Sequence, residues 1–98
     1  MEWQQLVGFC HVARLRSFTK AAKVTFRSQS ALSQQIKALE EELGCRLFER
    51  VGTRKICLTT SGEILLQYAE SVLRGHARLM ERLHHMQGVP KGPLKIAA

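Results

Sequence analysis

The stretch Ser28-Gln29-Ser30-Ala31-Leu32-Ser33-Gln34-Gln35-Ile36-Lys37-Ala38-Leu39-Glu40-Glu41-Glu42-Leu43-Gly44 spaces its apolar residues with a helical period. Leu32, Ile36, Leu39 and Leu43 follow an i, i+4, i+7, i+11 rule, so all four share one side of a helix. Ser30, Ser33, Gln34 and Lys37 gather on the opposite side. Ser28 can cap the first turn, and after Leu43 the residue Gly44 supplies a left-handed stop. The expected helix has one face for a core and one that is small and polar.

Upstream, Trp3, Leu6, Val7, Phe9, Cys10, Val12 and Ala13 make a broad stripe that predicts a first helix from Trp3 to Ala13. Ser17 is a candidate cap for a short second helix, Phe18 through Val24, whose Ala21 and Ala22 allow close packing. Downstream, Leu47-Phe48 and Ile56-Cys57-Leu58 flank Arg50-Val51-Gly52-Thr53-Arg54-Lys55, which suits a hairpin and predicts a two-stranded wing. Thr60 and Glu63 then fit a reciprocal capping box opening a fourth helix.

That helix is expected to run to about Met86, ~39 Å at 1.5 Å per residue, longer than a small domain needs to cover its core. Leu65, Ala69, Val72, His76, Leu79, Leu83 and Met86 alternate steps of four and three, a heptad seam. Ile64, Tyr68, Leu73 and Met80 form a second stripe. Two stripes imply two partners: the second is expected to pack on the preceding helices, leaving the seam for another copy of the chain. Gly75 weakens the helix by about 1 kcal/mol and marks a close approach or a bend.

The expected division is residues 1–59 as a helical domain with a wing, 60–87 as a long linker and dimerisation helix, and 88–98 as a hinge. The hinge collects Gly88, Pro90, Gly92 and Pro93, and Leu94 to Ala98 alternate like the start of a strand, which suggests a truncated chain lacking its next domain. Ninety-eight residues, 45% of them apolar, furnish one small core and exclude a multidomain enzyme. Fifteen Lys and Arg against eight Asp and Glu give a charge of +7, which favours a polyanionic partner. No run approaches the ~20 apolar residues of a membrane span, and no basic leader precedes Arg14, so neither membrane nor secretion is expected. Cys10, Cys45 and Cys57 read as reduced core residues in a cytoplasm. His11, His76, His84 and His85 lack metal-ligand spacing, and no nucleophile constellation or phosphate loop stands out.

Two helices joined by a tight turn and followed by a hairpin have the order of a winged helix-turn-helix, whose second of these helices enters the major groove. Between Arg14 and Lys37 there are six basic residues, Arg14, Arg16, Lys20, Lys23, Arg27 and Lys37, and no acidic one; Arg50, Arg54 and Lys55 cluster in the wing. Glu40, Glu41 and Glu42 would repel a phosphate backbone and are expected to lie away from it. Several segments in fixed order closely resemble the N-terminal domain of LysR-type transcriptional regulators. They are Ser17-Phe18-Thr19-Lys20-Ala21-Ala22, Ser28 to Ile36 as quoted, Leu39-Glu40-Glu41-Glu42-Leu43-Gly44, Leu47-Phe48-Glu49-Arg50 and Leu58-Thr59-x-x-Gly62. The resemblance spans residues 1 to about 90.

The fold class is thus expected to be mainly α, a winged helix-turn-helix with a short two-stranded wing and a long C-terminal linker helix. The resemblance implies a bacterial DNA-binding domain, cytoplasmic at the nucleoid. It implies dimerisation through the linker helix and a small-molecule effector bound by a missing C-terminal domain, with no cofactor in this segment. Dyad-symmetric double-stranded DNA is the implied partner; a tetramer of the full-length protein and RNA polymerase are further partners it allows. Where relatives carry an apolar pair in the turn this chain has Thr25 and Arg27, with Val24 and Phe26 expected to replace them in the core. The usual Gln-Pro helix start is Gln29-Ser30, and the wing is one residue longer.

By its chemistry Gln29 can pair with adenine through two hydrogen bonds, Ser30 and Ser33 permit close docking, and Gln34 reaches further. On an arbitrary helix these would be a solvated face; the resemblance makes them base readers, together with Arg54 at the wing tip for the minor groove. Thr19, Lys20, Arg27, Ser28, Lys37, Arg50 and Lys55 are then phosphate contacts. Two other readings remain: a basic helical dimerisation module whose charge is only a solvated face or binds an acidic protein, and a winged-helix regulator like the molybdate-responsive repressors.

Overall fold

The structure, a computed structural model, describes residues 1–52 and 55–87. Helices α1 (Trp3–Leu15), α2 (Phe18–Thr25) and α3 (Gln29–Leu43) are followed by strands β1 (Phe48–Val51) and β2 (Lys55–Leu58) and by helix α4 (Thr60–Gln87). This is the winged helix-turn-helix order expected. The strands pair antiparallel, Phe48 opposite Leu58 and Val51 opposite Lys55. The proposed hinge of residues 88–98 lies outside the described residues, as does the tip residue Arg54.

Capping fixes where each helix begins and ends. Glu2 and Gln5 form a capping box at the start of α1, which continues two residues past Ala13 until Arg16 turns left-handed. The Ser17 hydroxyl accepts from the Lys20 amide at 3.1 Å, and the Ser28 hydroxyl from the Ala31 amide at 3.0 Å, opening α2 and α3 as expected. Gly44, at φ 74°, closes α3 by donating to Glu40 O at 2.8 Å. At α4 the cap is Thr59, not Thr60. The amide of Thr59 donates to Leu47 O at 3.0 Å where the chain leaves β2, and its Oγ1 accepts from the Gly62 amide at 3.0 Å. Thr60 is already helical, and the Glu63 amide donates to Thr59 O at 2.9 Å.

The core gathers Leu6, Phe9 and Val12 from α1, Ala21 and Ala22 from α2, and Leu32, Ile36 and Leu39 from α3. Leu47, Phe48 and Ile56 bring in the wing, and Leu65 and Ala69 bring in α4. The Phe48 ring lies 5.4 Å from that of Phe9 and 5.9 Å from that of Phe18, joining wing to helices by aromatic packing. Two glycines allow these approaches. A side chain at Gly8 would come within 2.9 Å of Leu32 Cδ1, and one at Gly62 within 2.2 Å of Leu47 O.

Four expectations about the core are corrected. Leu43, the last of its stripe, is exposed beside Gly44, where α3 has outrun the elements packed on it. Val24 is exposed, and Phe26 is 94% exposed, because Phe26 is the left-handed residue (φ 58°) that closes α2 and its side chain projects outward. The turn is filled by Ala21, Ala22 and half-buried Thr25, whose hydroxyl donates to Ala21 O at 2.9 Å and so costs no unpaired polar group. Cys45 and Cys57 are half-buried, and only Cys10 of the three free cysteines is a core residue.

The two stripes of α4 are exchanged relative to expectation over its first half. Leu65 and Ala69 of the heptad seam are buried in the chain's own core, and Val72 packs beside them, so these three are not a free face. Leu73 joins them, whereas Ile64 and Tyr68, expected inside, are 67% and 53% exposed. The physical reason is the close fit of Gly62 on Leu47 O, which fixes the rotation of α4 about its own axis. From Arg74 to Met86 every residue is exposed, although the His76 ring still rests 4.7 Å from that of Trp3. The overhang gives the molecule extents of 55 × 25 × 20 Å.

Candidate nucleic-acid interface

Opposite the buried Leu32, Ile36 and Leu39, helix α3 presents Ser30, Gln34 and Lys37 to solvent, with Ser33 half-buried, and Gln29 is exposed in its first turn. The N-terminus of α2 stands beside that of α3: the Thr19 hydroxyl donates to Gln29 Oε1 at 3.2 Å. Thr19 and Lys20 are exposed there, and the first amides of a helix have no partner within it. The polar side of α3 and the electropositive end of α2 therefore form one surface.

The wing extends this surface. A depression of about 600 Å³ separates it from α3, and Ser33, Lys37, Arg46 and Arg50 all line it. Arg46 was not singled out in the sequence, since it lies in the turn before β1 and outside any periodic stretch. Lys55 is exposed at the start of β2, opposite Val51.

Other basic residues are committed elsewhere. Arg14 pairs with Glu70 of α4 at 3.4 Å, which removes it from the basic face. The guanidinium of Arg27 donates to the Gln4 side chain of α1, and the Ser28 hydroxyl, which accepts at its cap, keeps its proton to donate. The acidic run is also not remote as a block. Glu40 and Glu41 line the depression beside Lys37, and only Glu42 turns away, to the N-terminal ammonium at 2.6 Å. Glu40 has a structural task there: its Oε2 accepts from the Leu47 amide at 2.7 Å and ties the end of α3 to the start of the wing. The expected dimerisation residues divide: Leu65, Ala69 and Val72 face the core, and His76, Leu79, Leu83 and Met86 are exposed on the overhang.

Among the described residues no helix is long and apolar enough to cross a membrane, and no three His, Cys, Asp or Glu gather as metal ligands. Comparison with known proteins converges on one family. The model of the lysR family of bacterial regulatory helix-turn-helix proteins matches residues 3–63. A probable RuBisCO transcriptional regulator of Thalassiosira pseudonana is 42% identical over 95 residues, covering 97% of this chain and 31% of that protein. The chain thus spans about a third of the length of that relative. Among solved structures, the BenM DBD/catB site 1 DNA complex matches with a TM-score of 0.83 at 36% identity, covering 96% of this chain and 100% of that one. The CbnR DBD–DNA complex matches with a TM-score of 0.79 at 36% identity, over 88% and 98% of the two chains.

Proposed function

The chain belongs to the lysR family of bacterial regulatory helix-turn-helix proteins, and we propose that it binds double-stranded DNA sequence-specifically as a dimer. In this reading α3 enters the major groove at each of two dyad-related half-sites. The observation that carries it is the single surface formed by the polar side of α3, the N-terminus of α2 and the basic wing, on a fold matched by DNA complexes.

Gln29, Ser30, Ser33 and Gln34 contact base edges, with Arg54 reaching the minor groove from the wing. Lys20, Lys37, Arg46, Arg50 and Lys55 neutralise phosphates, and the first amides of α2 at Thr19 add to them. Arg27 and Ser28 serve at the turn, the first from its bond to Gln4 and the second through its hydroxyl proton. The exposed apolar stripe of α4 pairs two chains. In this reading a C-terminal domain binds a small-molecule effector, and tetramer assembly and contact with RNA polymerase belong to the whole protein. The domain acts by binding, without catalysis, in the cytoplasm.

Selection of bound duplexes from a random pool tests this. The expected outcome is a palindromic consensus whose affinity falls steeply from low to moderate salt, because Lys and Arg contacts release counterions. A salt-insensitive association without a consensus would instead support a basic dimerisation module with an acidic protein partner.

A further inference from the structure

The junction of α2 and α3 holds an aromatic ring in water. Phe26 is 94% exposed at φ 58°, a conformation that glycine takes freely and a bulky residue rarely adopts. An exposed ring and a strained backbone both weigh against the fold, and strain of this kind gathers at functional sites. The ring does not stand alone. Exposed Val24 and Phe26 both line a notch of about 240 Å³ between the end of α2 and α1, whose far side is Val7 and Gly8. Its rim is polar and cationic: Gln4, His11 and Arg27 line it, and among the described residues no carboxylate does. Lys23 is exposed beside Val24, and no acidic residue occurs between Arg14 and Lys37. Arg27 uses one donor on Gln4, and the five-donor fork of a guanidinium keeps others.

We propose that this notch, together with Phe26, docks a protein other than this chain, through a segment that carries carboxylates on both sides of one large apolar side chain. The volume decides the kind of ligand. Drug-sized molecules occupy about 300–1,000 Å³, whereas this notch suits a single anchoring side chain. The carboxylates meet Lys23 and Arg27, and Phe26 packs over the anchor. Nucleic acid has the charge but no apolar side chain to place there, and a second copy has the stripe of α4 to pack on. Thr19, which touches Gln29, and Val24 are five residues apart and so about 140° apart around α2. On the DNA-binding reading above, on which this placement rests, the notch is therefore off the groove-facing side, and the partner is held in addition to DNA.

Three synthetic peptides test this against the isotope-labelled 98-residue chain, free and bound to a duplex selected from a random pool. One has aspartates on both sides of a phenylalanine, one has alanine for the phenylalanine, and one has lysines for the aspartates. The expected result is that only the first shifts the amide resonances of Val7, Val24 and Phe26, and that it does so with the duplex still bound. Phe26→Gly should weaken that peptide by about 10-fold or more, as loss of an anchor does, and leave affinity for the duplex unchanged. Glycine suits the left-handed backbone, so weaker docking cannot be put down to loss of fold. No shift at the notch, equal binding of the alanine peptide, shifts confined to α3 and the wing, exclusion of the peptide by the duplex, or full affinity in Phe26→Gly overturns the proposal. Self-association of the chain that Phe26→Gly abolishes overturns it too, by placing a second copy in the notch. A pool that enriches no duplex overturns the DNA-binding reading instead, and the free chain still decides whether the notch binds.

Discussion

The two halves of α4 carry apolar residues at the same three-and-four spacing and use them differently. In the first half Leu65 and Ala69 are buried against α1 and the wing; in the second half Leu79, Leu83 and Met86 face water. A heptad period defines a side of a helix but not what covers that side. Rotation is set locally, by Gly62 against Leu47 O, by Arg14 with Glu70 and by Trp3 with His76. Once rotation is set, Ile64, Tyr68, Leu79 and Met86 form an exposed stripe about a quarter-turn from the core side. That stripe, in place of the full seam, is where a second chain is expected to pack, with Leu83 at its margin.

The sharpest way to break this contrast is to place the same charge in each half. Ala69→Asp would bury a carboxylate where no exposure remains and no cation is adjacent in the stripe, a cost of several kcal/mol against a total stability of about 5–15 kcal/mol. The expected outcome is loss of helical circular dichroism at ordinary temperature. Leu79→Asp, on the 51% exposed position, should keep that signal and sediment as a monomer, with full-site affinity falling toward that of one half-site. A folded Ala69→Asp variant, or a dimeric Leu79→Asp variant with undiminished affinity, would show that the halves are not divided as described.

The glycines of α4 sharpen the contrast, because they predict effects of opposite sign. An alanine at Gly62 must displace backbone at Leu47, so Gly62→Ala should destabilise by about 1–3 kcal/mol. At Gly75 nothing lies within 4 Å of the added carbon, so Gly75→Ala should stabilise by about 1 kcal/mol through helix propensity. Denaturant midpoints read both. A stabilised but monomeric Gly75→Ala variant would reveal that the partner helix packs directly on that position.

The same division explains what the sequence disclosed. The reach of α3, its Ser28 cap and its Gly44 stop were legible because each depends on residues within a turn of one another. The wing was legible from two apolar pieces around a glycine. Phe26 was not legible because apolar character alone does not imply burial, and the left-handed end of α2 points its side chain out. The bonds of Glu40 and Arg14 were not legible, because their partners, the Leu47 amide and the Glu70 carboxylate, come from other elements and leave no periodic trace. At the candidate interface the residue types on α3 were visible, but the contact between Thr19 and Gln29 follows only from how α2 is set against α3.

Glu40 offers a milder test of how the head is held together. Glu40→Ala frees the Leu47 amide and should cost about 1–2 kcal/mol, since a charge-assisted bond is lost at a part-buried donor. Glu40→Gln keeps an acceptor and should recover most of it. A Glu40→Ala variant with an unchanged denaturant midpoint would mean that packing of Phe48 alone positions the wing.

The smallest expected effect lies at Cys10, a core residue facing the buried half of α4. Burial pushes its thiol above the ordinary value of 9.0; Arg14 draws it back, and Glu70 raises it further. In the unfolded chain the thiol ionises near that ordinary value, while in the folded chain it keeps its proton. Its contribution to stability is therefore complete below pH 9.0 and is lost as pH rises from there through the raised folded value, by at most about 1.4 kcal/mol per pH unit. Cys10→Ala removes the thiol and leaves a small cavity, so it should be less stable by a constant amount at neutral pH. Above pH 9.0 the gap to the parent chain should narrow, because only the parent has this proton to lose on unfolding. Comparing the two chains isolates the contribution of Cys10. A gap that stays flat from neutral pH to about pH 10.5 would mean that the folded and unfolded thiols ionise alike, and that the contact between α1 and the first half of α4 admits more water than the burial of Cys10 implies.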